Sequence, residues 1–448
     1  MNRPTDKRLI EREANQFALL NQRRFGPFFW TQFCGAANDN LFKFAFTVMV
    51  TYQLSVSWLP TSLAGLIIGA LFILPFLLFS ATSGQLADKY DHATLMRGVK
   101  NLEIGIMGLA AVGFVTAQVS VLLLCTFLMG LHSTIFGPAK YSYLPHVLDD
   151  HELTGGNGMV EMGTFVAILL GNVVGGLLVA VPEIGHASVA VACVALALVG
   201  RWVSGGIPTQ KADNPDLPIR WNPVSETLQN LRLAWTNRTV FITLIGISWM
   251  WFFGAIFLSQ FPSFAKEVLH GDAHVASLLL VLFSLGIGAG ALLCEVLSRG
   301  RVEIGLSPVG AMGMTWFAVD LYIASSGLPN TELMGIQSFM TQHAHWRVMV
   351  DLLLLSLFVG IYSVPMYALI QQQSHHSECA RIIAANNIMN ALFMIASSLI
   401  AGAMLGAGSM IPEVMCWTGV ANAVVTLGVF IAEPSYWHRF SAWLKDIL

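Results

Sequence analysis

The sequence predicts an all-α membrane protein, with twelve transmembrane helices forming two six-helix bundles related by pseudo-two-fold symmetry. Three observations carry this. Of 448 residues, 55% are hydrophobic and only 11% charged, against roughly 25% charged in soluble domains. Apolar segments long enough for a hydrocarbon core of about 30 Å, which takes roughly 20 helical residues, follow one another along nearly the whole chain. The segments also repeat. NGMVEMGTFVAILLGNVVGG from Asn157 matches NNIMNALFMIASSLIAGAML from Asn386 at an offset of 229, and GPAKYSYLP around Pro138 matches SVPMYALIQ around Pro365 at 227. A weaker match sets WTQFCGA from Trp30 against WMWFFGA from Trp249, at 219. Six spans repeated in the same direction suit a molecule that rocks one half against the other around a central site.

The first span, Phe25 to Leu54, organises the rest because it carries Asp39 and Lys43 near its middle. A charge at mid-depth costs at least ~2.5 to 3.5 kcal/mol, so it faces a cavity or a partner. Asp39 lies about 20 Å along the helix from Gly26 at ~1.5 Å per residue. Lys43 follows at i+4, where the two can neutralise one another on one face. Further apolar segments are expected at 62–83, 101–117, 119–139, 157–181, 186–204, 239–264, 274–298, 306–327, 348–371, 382–407 and 411–432. GxxxG steps at Gly65/Gly69, Gly171/Gly175, Gly286/Gly290 and Gly402/Gly406 predict close helix contacts.

The only long polar break, with Pro208, Pro215, Pro218 and Pro223, divides the segments six and six. The expected organisation is therefore a cytoplasmic N-terminal segment 1–24, a first bundle 25–204, a cytoplasmic linker 205–238, a second bundle 239–434 and a cytoplasmic tail 435–448. Asn222 or Ser225 can cap a short helix through Trp235 on the inner membrane surface, or the segment is a plain connector. With the N-terminus inside, all but Lys43, Lys266 and Arg347 of the 23 lysines and arginines fall on the cytoplasmic side, Lys100 and Lys140 among them. This is the positive-inside pattern. No cleavable signal precedes the first span, and the outer segment from Gly327 to Trp346 reads as a lid or a loop.

The six cysteines, at 34, 125, 193, 294, 379 and 416, make no disulfide or zinc framework. Neither His375-His376 nor the His343/His345 pair has metal-ligand spacing, so no metal is expected. No GxxxxGK loop occurs, so no built-in ATPase and no cofactor are expected. The inner-loop charges follow from topology, which leaves no basic patch for nucleic acid. An enzyme is not expected.

After the second span, GQLADKYDHATLMR resembles the major facilitator signature through Gly84, Asp88 and Lys89, although Asp91 and His92 depart from it. GALLCEVLSRGR, with Glu295 and Arg299, is its counterpart in the second half, and Arg381 borders the eleventh span. These are the gate candidates. QFCGAANDNLFK, FGPAKYSYLP, ELTGGNGMVEMGTFVAILLGNVVGG, SWMWFFGAIFLSQFP and ARIIAANNIMNALFM together look like the bacterial lysophospholipid transporter family of that superfamily. They are closest to the modules that some relatives fuse to an acyltransferase and an acyl-carrier-protein ligase.

The resemblance implies a major facilitator fold in the bacterial cytoplasmic membrane. It implies movement of lysophosphatidylethanolamine and related lysophospholipids from the outer to the inner leaflet for reacylation, by alternating access with a lateral opening for the acyl chain. A monomer surrounded by membrane lipids, acting with a separate acyltransferase/acyl-ACP synthetase, is expected. Such a substrate needs a cation for phosphate, an anion for ammonium and an apolar wall for one chain. Lys140 and Glu161 fit, as ligands or as a pair closing the inner gate, together with Asp39, Asn40 and Lys43 deeper in span one. Asn386 and Asn390 on span eleven serve the substrate or cross-link helices, and Asn390 is the repeat-mate of Glu161. The other readings are a proton-coupled exporter of drugs or amphiphiles, with Asp39 or Glu161 carrying the proton, and a non-transporting scaffold for the acyltransferase.

Overall fold

The computed structural model describes residues 16–54, 58, 61–326, 328 and 332–447. Arg3, Lys7, Arg8 and Arg12 of the charge pattern, most of the segment 1–24 and part of the outer segment 327–346 lie outside them. Twelve helices of twenty or more residues run through the described chain: α1 Gly26–Val48, α2 Thr61–Lys89, α3 His92–Val115, α4 Val119–Val147, α5 Leu153–Val179, α6 Gly185–Ser204, α7 Arg238–Ser263, α8 Ala273–Ser298, α9 Leu306–Ser325, α10 His343–Gln373, α11 His376–Gly406 and α12 Ile411–Ala432. Ten of them are long and apolar enough to cross a membrane by composition alone. The exceptions are α1, interrupted by Gln32, Asn38, Asp39, Asn40 and Lys43, and α9, which carries Pro308 and Asp320.

Several helices begin earlier or end later than apolarity alone predicts, because polar caps and buried polar residues extend them. Asp91 caps α3 by accepting from the Thr94 amide at 2.8 Å, so α3 starts nine residues before the apolar segment at 101. Lys100 is therefore not a loop charge. It lies inside the first bundle, wholly buried, with its ammonium 2.6 Å from Glu103. Likewise α4 continues through Pro138 and Pro145 to Val147, and Lys140 stands two turns inside it rather than at the rim. In the linker, Asn222 caps a helix at Pro223–Thr236 by accepting from the amides of Val224 and Ser225. The tail forms a further helix, Ser435–Ile447, held by the Tyr436 hydroxyl to Thr243 (2.7 Å) and by the Trp443 indole to the Leu297 carbonyl (2.9 Å).

Glycines set the tightest helix approaches. In α5, a Cβ on Gly171 would come within 2.4 Å of the Ala37 carbonyl oxygen, and one on Gly290 of α8 within 1.9 Å of that of Leu357 in α10. The other two predicted steps behave differently. Gly69 of α2 and Gly402 and Gly406 of α11 have open space where a side chain would go, and Gly65 meets only a methyl at 3.9 Å. Small residues permit close packing but do not compel it: Gly65, Gly402 and Gly406 are exposed.

The halves meet along two seams, α5 with α8 and α2 with α11. Adding six to each helix number exchanges these seams, as the sequence repeat requires. At the α2–α11 seam a Cβ on Gly84 would lie 2.8 Å from that of Ala384, and at the α5–α8 seam one on Gly158 would lie 2.5 Å from the Ala291 carbonyl. Both crossings lie toward the proximal end, where α1 begins.

Candidate functional site

Between the halves lies a cavity of about 410 Å³. Its walls bring together six of the seven expected substrate residues: Asp39, Asn40 and Lys43 from α1, Lys140 from α4, Glu161 from α5 and Asn390 from α11. Asn386 does not line it. It sits fully buried behind Asn390, which bonds Ser248 of α7 at 2.9 Å and so cross-links two helices. In the amide orientation that satisfies both its ends, Asn390 also bonds Asn386 at 3.1 Å and the Trp251 indole at 3.2 Å. Asn387, one residue on, reaches the wall in place of Asn386.

The expected ion pairs are not closed. Asp39 accepts the Ser133 hydroxyl proton at 2.6 Å, while the Lys43 ammonium lies 3.7 Å over the Phe72 ring. Among the described residues these two make no ion pair within 4 Å, because the helix turns Lys43 toward α2 and Asp39 toward α4. Lys140 and Glu161 likewise form none. The Lys140 ammonium is 3.4 Å from the Thr164 hydroxyl and 4.8 Å from the Tyr141 ring, with Glu161 elsewhere on the same wall. Two cations and two carboxylates thus face one space without neutralising one another by contact.

A second charged layer went unread in the sequence. Glu103 accepts from Asn38 at 2.7 Å and from Lys100 at 2.6 Å, and stands 3.2 Å from His132. Lys100 and His132 also border the cavity. The Asp91 cap was the signal for these residues, since it places Lys100 and Glu103 on one helical face at i,i+3. The proximal floor is aromatic: Tyr141 of α4 and Tyr367 of α10 stack at 4.8 Å, 6° from parallel, and the Trp251 indole donates to the Tyr367 hydroxyl at 3.1 Å. Distally the wall turns apolar, with Phe72, Ile73 and Phe76 of α2, Leu258 of α7 and Met394 of α11. A larger cleft of about 730 Å³ lies at the distal end of the second half, but its lining holds one carboxylate, Glu267, and no lysine or arginine.

The gate candidates gather at the proximal seams. Asp88 of α2 pairs with Arg381 of α11 at 2.7 Å, where Gly84 allows the approach. Glu295 of α8 accepts from the Gly155 backbone in the first turn of α5, the repeat-related position. Lys89 donates to the Leu217 carbonyl of the linker at 2.9 Å, and Arg299 ends α8 with φ +53°. Asn157 and Gln371 bond across the halves at 2.5 Å, and Thr154 donates to the Arg301 carbonyl at 2.9 Å. Within the first half, Arg24 holds Glu152 at 2.5 Å. Burial works against the Glu152 carboxylate, but this guanidinium and the Asp149 amide outweigh it and keep its pKa below the usual range.

Twelve long helices, two repeat-related seams and a polar cavity between the halves define a class. A family model described as Major Facilitator Superfamily matches residues 28–398, and the chain belongs to that superfamily. It is a multi-pass membrane protein. The chain is 29% identical over 367 residues to the "Lysophospholipid transporter LplT" of Escherichia coli O157:H7 (strain EC4115 / EHEC), covering 80% of this chain and 82% of that protein. It is 28% identical over 365 residues to the protein of the same name from Klebsiella pneumoniae (strain 342), with the same coverage. Among solved structures, it resembles the transporter FucP in the outward conformation (TM-score 0.67, 14% identity, 91% of this chain and 98% of that one). It also resembles the human organic anion transporter MFSD10 (TM-score 0.69, 11% identity, 92% and 99%). At these identities the structural likenesses speak for the fold.

Proposed function

We propose that this chain is a lysophospholipid transporter that moves lysophosphatidylethanolamine and related single-chain phospholipids from the outer to the inner leaflet of the bacterial cytoplasmic membrane. The observation that carries the reading is the cavity wall: unneutralised lysines and carboxylates at one level, continuous with Phe72, Phe76, Leu258 and Met394 at the next. Lys140 and Lys43 serve the phosphate as point charges, Glu161 and Asp39 the ammonium, and Asn40 and Asn390 its polar rim. The acyl chain leaves between the distal halves of α2 and α11, where Gly69, Gly402 and Gly406 meet nothing. Relatives named for lysophospholipid transport support the substrate class.

In this reading the bundles 25–204 and 239–434 alternate access about the cavity, joined by a cytoplasmic linker 205–238, with both termini, 1–24 and 435–448, cytoplasmic. The proximal end is then the cytoplasmic gate. Gly84, Asp88, Arg381, Glu295, Lys89 and Arg299 latch it, and the described state is outward-facing. The transporter works as a monomer among membrane lipids, and a separate acyltransferase reacylates what it delivers.

Fluorescent lysophosphatidylethanolamine in liposomes containing the full chain tests this. Leaflet transfer well above that of protein-free vesicles is expected, and background-level transfer overturns the reading in favour of a scaffold. Transfer that requires an imposed proton gradient would instead favour the exporter, with Asp39 or Glu161 carrying the proton.

A further inference from the structure

We propose that His92, His146 and Asp213 form a binding site for a divalent transition metal of the zinc class, fastening the linker to the proximal end of the first bundle. The site is separate from the cavity, whose lining includes none of the three. The residues come from three segments far apart in the chain: the first residue of α3, the last turn of α4 and the polar linker. For that reason no ligand spacing announced them.

The geometry is that of a metal ligand set. One donor atom from each residue lies within 4.8 Å of the others. The Asp213 carboxylate oxygen stands 3.1 Å from His146 Nε2 and 3.9 Å from His92 Nε2. With bonds of ~2.0 to 2.2 Å to a tetrahedral zinc, neighbouring ligand atoms sit roughly 3.3 to 3.6 Å apart, between the two distances found. Two imidazoles and a carboxylate suit zinc, cobalt or nickel, whereas magnesium and calcium take oxygen donors.

Charge points the same way. Among the described residues no lysine or arginine stands within 4 Å of Asp213, whose side chain is only 8% exposed; two imidazoles are its partners. A buried carboxylate needs a cation, and adjacent imidazoles cannot both be protonated without repelling one another. A dication neutralises the carboxylate while both rings stay neutral. His92 is 1% exposed, yet its Nδ1 has no hydrogen-bond partner. Its Nε2 contacts only the Ser142 hydroxyl besides Asp213, and that hydroxyl already donates to the Pro138 carbonyl. Binding an ion through Nε2 therefore forfeits one hydrogen bond and puts the ring proton on the unpartnered Nδ1, a cost that the bonds to the ion must exceed.

The site is also preorganised. The Asn214 amide donates to the Asp88 carbonyl at 2.8 Å, and that of Gln210 to the Asp91 carboxylate at 2.6 Å, so the backbone on both sides of Asp213 is pinned to the α2–α3 turn. His146 has a side-chain exposure of 16% and gives an ion its way in. Its other neighbour is His376 at the start of α11, ring to ring at 4.7 Å, so occupancy is felt at the seam between the halves.

The test uses purified full-length protein with any affinity tag removed, titrated near neutral pH with zinc against a chelating dye and separately with cobalt. The expected results are one equivalent of zinc per chain and the intense visible absorption of four-coordinate cobalt. His146→Ala and Asp213→Asn should each weaken zinc binding at least tenfold, while His438→Ala, an exposed histidine on the tail helix, leaves it within twofold. The cobalt spectrum of the wild type needs no variant and so stands even if one fails to fold. A wild type that takes up no stoichiometric zinc and gives no cobalt band, or folded His146→Ala and Asp213→Asn proteins that bind like wild type, overturns the proposal. None of these readouts depends on what the cavity carries.

Discussion

The two halves share a fold but divide the chemistry. Every charged residue lining the cavity, Asp39, Lys43, Lys100, Lys140 and Glu161, belongs to the first half, with the histidine His132. The second half contributes Trp251, Leu258, Tyr367, Asn387, Asn390 and Met394, all of them neutral. Their cores differ the same way. The first half is knit by Lys100, Glu103, His132 and Asn38; the second by Asn422, whose amide joins Trp249 (2.9 Å), the Ala311 carbonyl (3.0 Å) and Thr315 (3.0 Å). Of the two halves, only the first thus turns charge toward the cavity. Under the proposed function, a zwitterionic head would be gripped by one half while the other slides past as a neutral wall.

Four experiments break or sharpen that contrast. The largest effect is expected from Glu103→Ala, which strands the buried Lys100 and should cost about 3 to 5 kcal/mol. Asn422→Ala, its neutral counterpart, should cost only ~1 to 3 kcal/mol. Thermal unfolding in detergent compares the two, and equal losses would mean that the charged core has no special standing. Next, Asp88→Asn removes the charge-assisted bond to Arg381 across the halves, worth ~1.5 to 3 kcal/mol. Labelling of a cysteine placed at the proximal seam should rise about tenfold or more; unchanged labelling would show that this pair does not hold the end shut.

Third, Asp39→Ala and Glu161→Ala should fold yet lower lysolipid transfer about tenfold or more, a barrier change of ~1.4 kcal/mol. Asn390→Ala should lower it only severalfold. Wild-type rates in both carboxylate variants would defeat the site assignment, and a larger loss in Asn390→Ala would reverse the division of labour. The smallest effect concerns the Arg24–Glu152 pair, which lies wholly within the first half. Glu152 is held below the usual carboxylate range in the folded protein. Its stabilising contribution is therefore complete above the unfolded-state value and is lost as pH falls through the lowered folded value. The pair is partly solvated, so Glu152→Gln should cost about 0.5 kcal/mol at neutral pH and nothing once the pH lies below the lowered value.

The twelve helices were legible because lipid demands long apolar runs, and Asp39 because a charge stands out within one. The repeat located Glu161 and Asn390 at matching positions, and both reach the cavity. Lys100 and Glu103 were harder to see. Hydropathy starts α3 at 101, whereas the cap that starts it is a single aspartate. Gly402 and Gly406 read as packing surface because spacing fixes a helical face but not what that face meets. Asn386 and Asn390 differ by one turn, and only the crossing of α7 and α11 decides that one lines the space and the other backs it. The His92, His146 and Asp213 cluster was invisible, since its members lie 54 and 67 residues apart and come together only through tertiary contact.

The paired rings of Tyr141 and Tyr367 carry one more implication. Each belongs to a different half, and their mutual attraction is worth only about 0.5 to 1.5 kcal/mol beyond the area they cover. Beneath them lie the charged and amide clasps, so the fastening between the halves weakens from the proximal end toward the cavity. If the chain transports as proposed, release would proceed like unbuttoning from the hem: the outer fastenings would go first, and the last obstacle would be two flat faces sliding apart with no ion left bare.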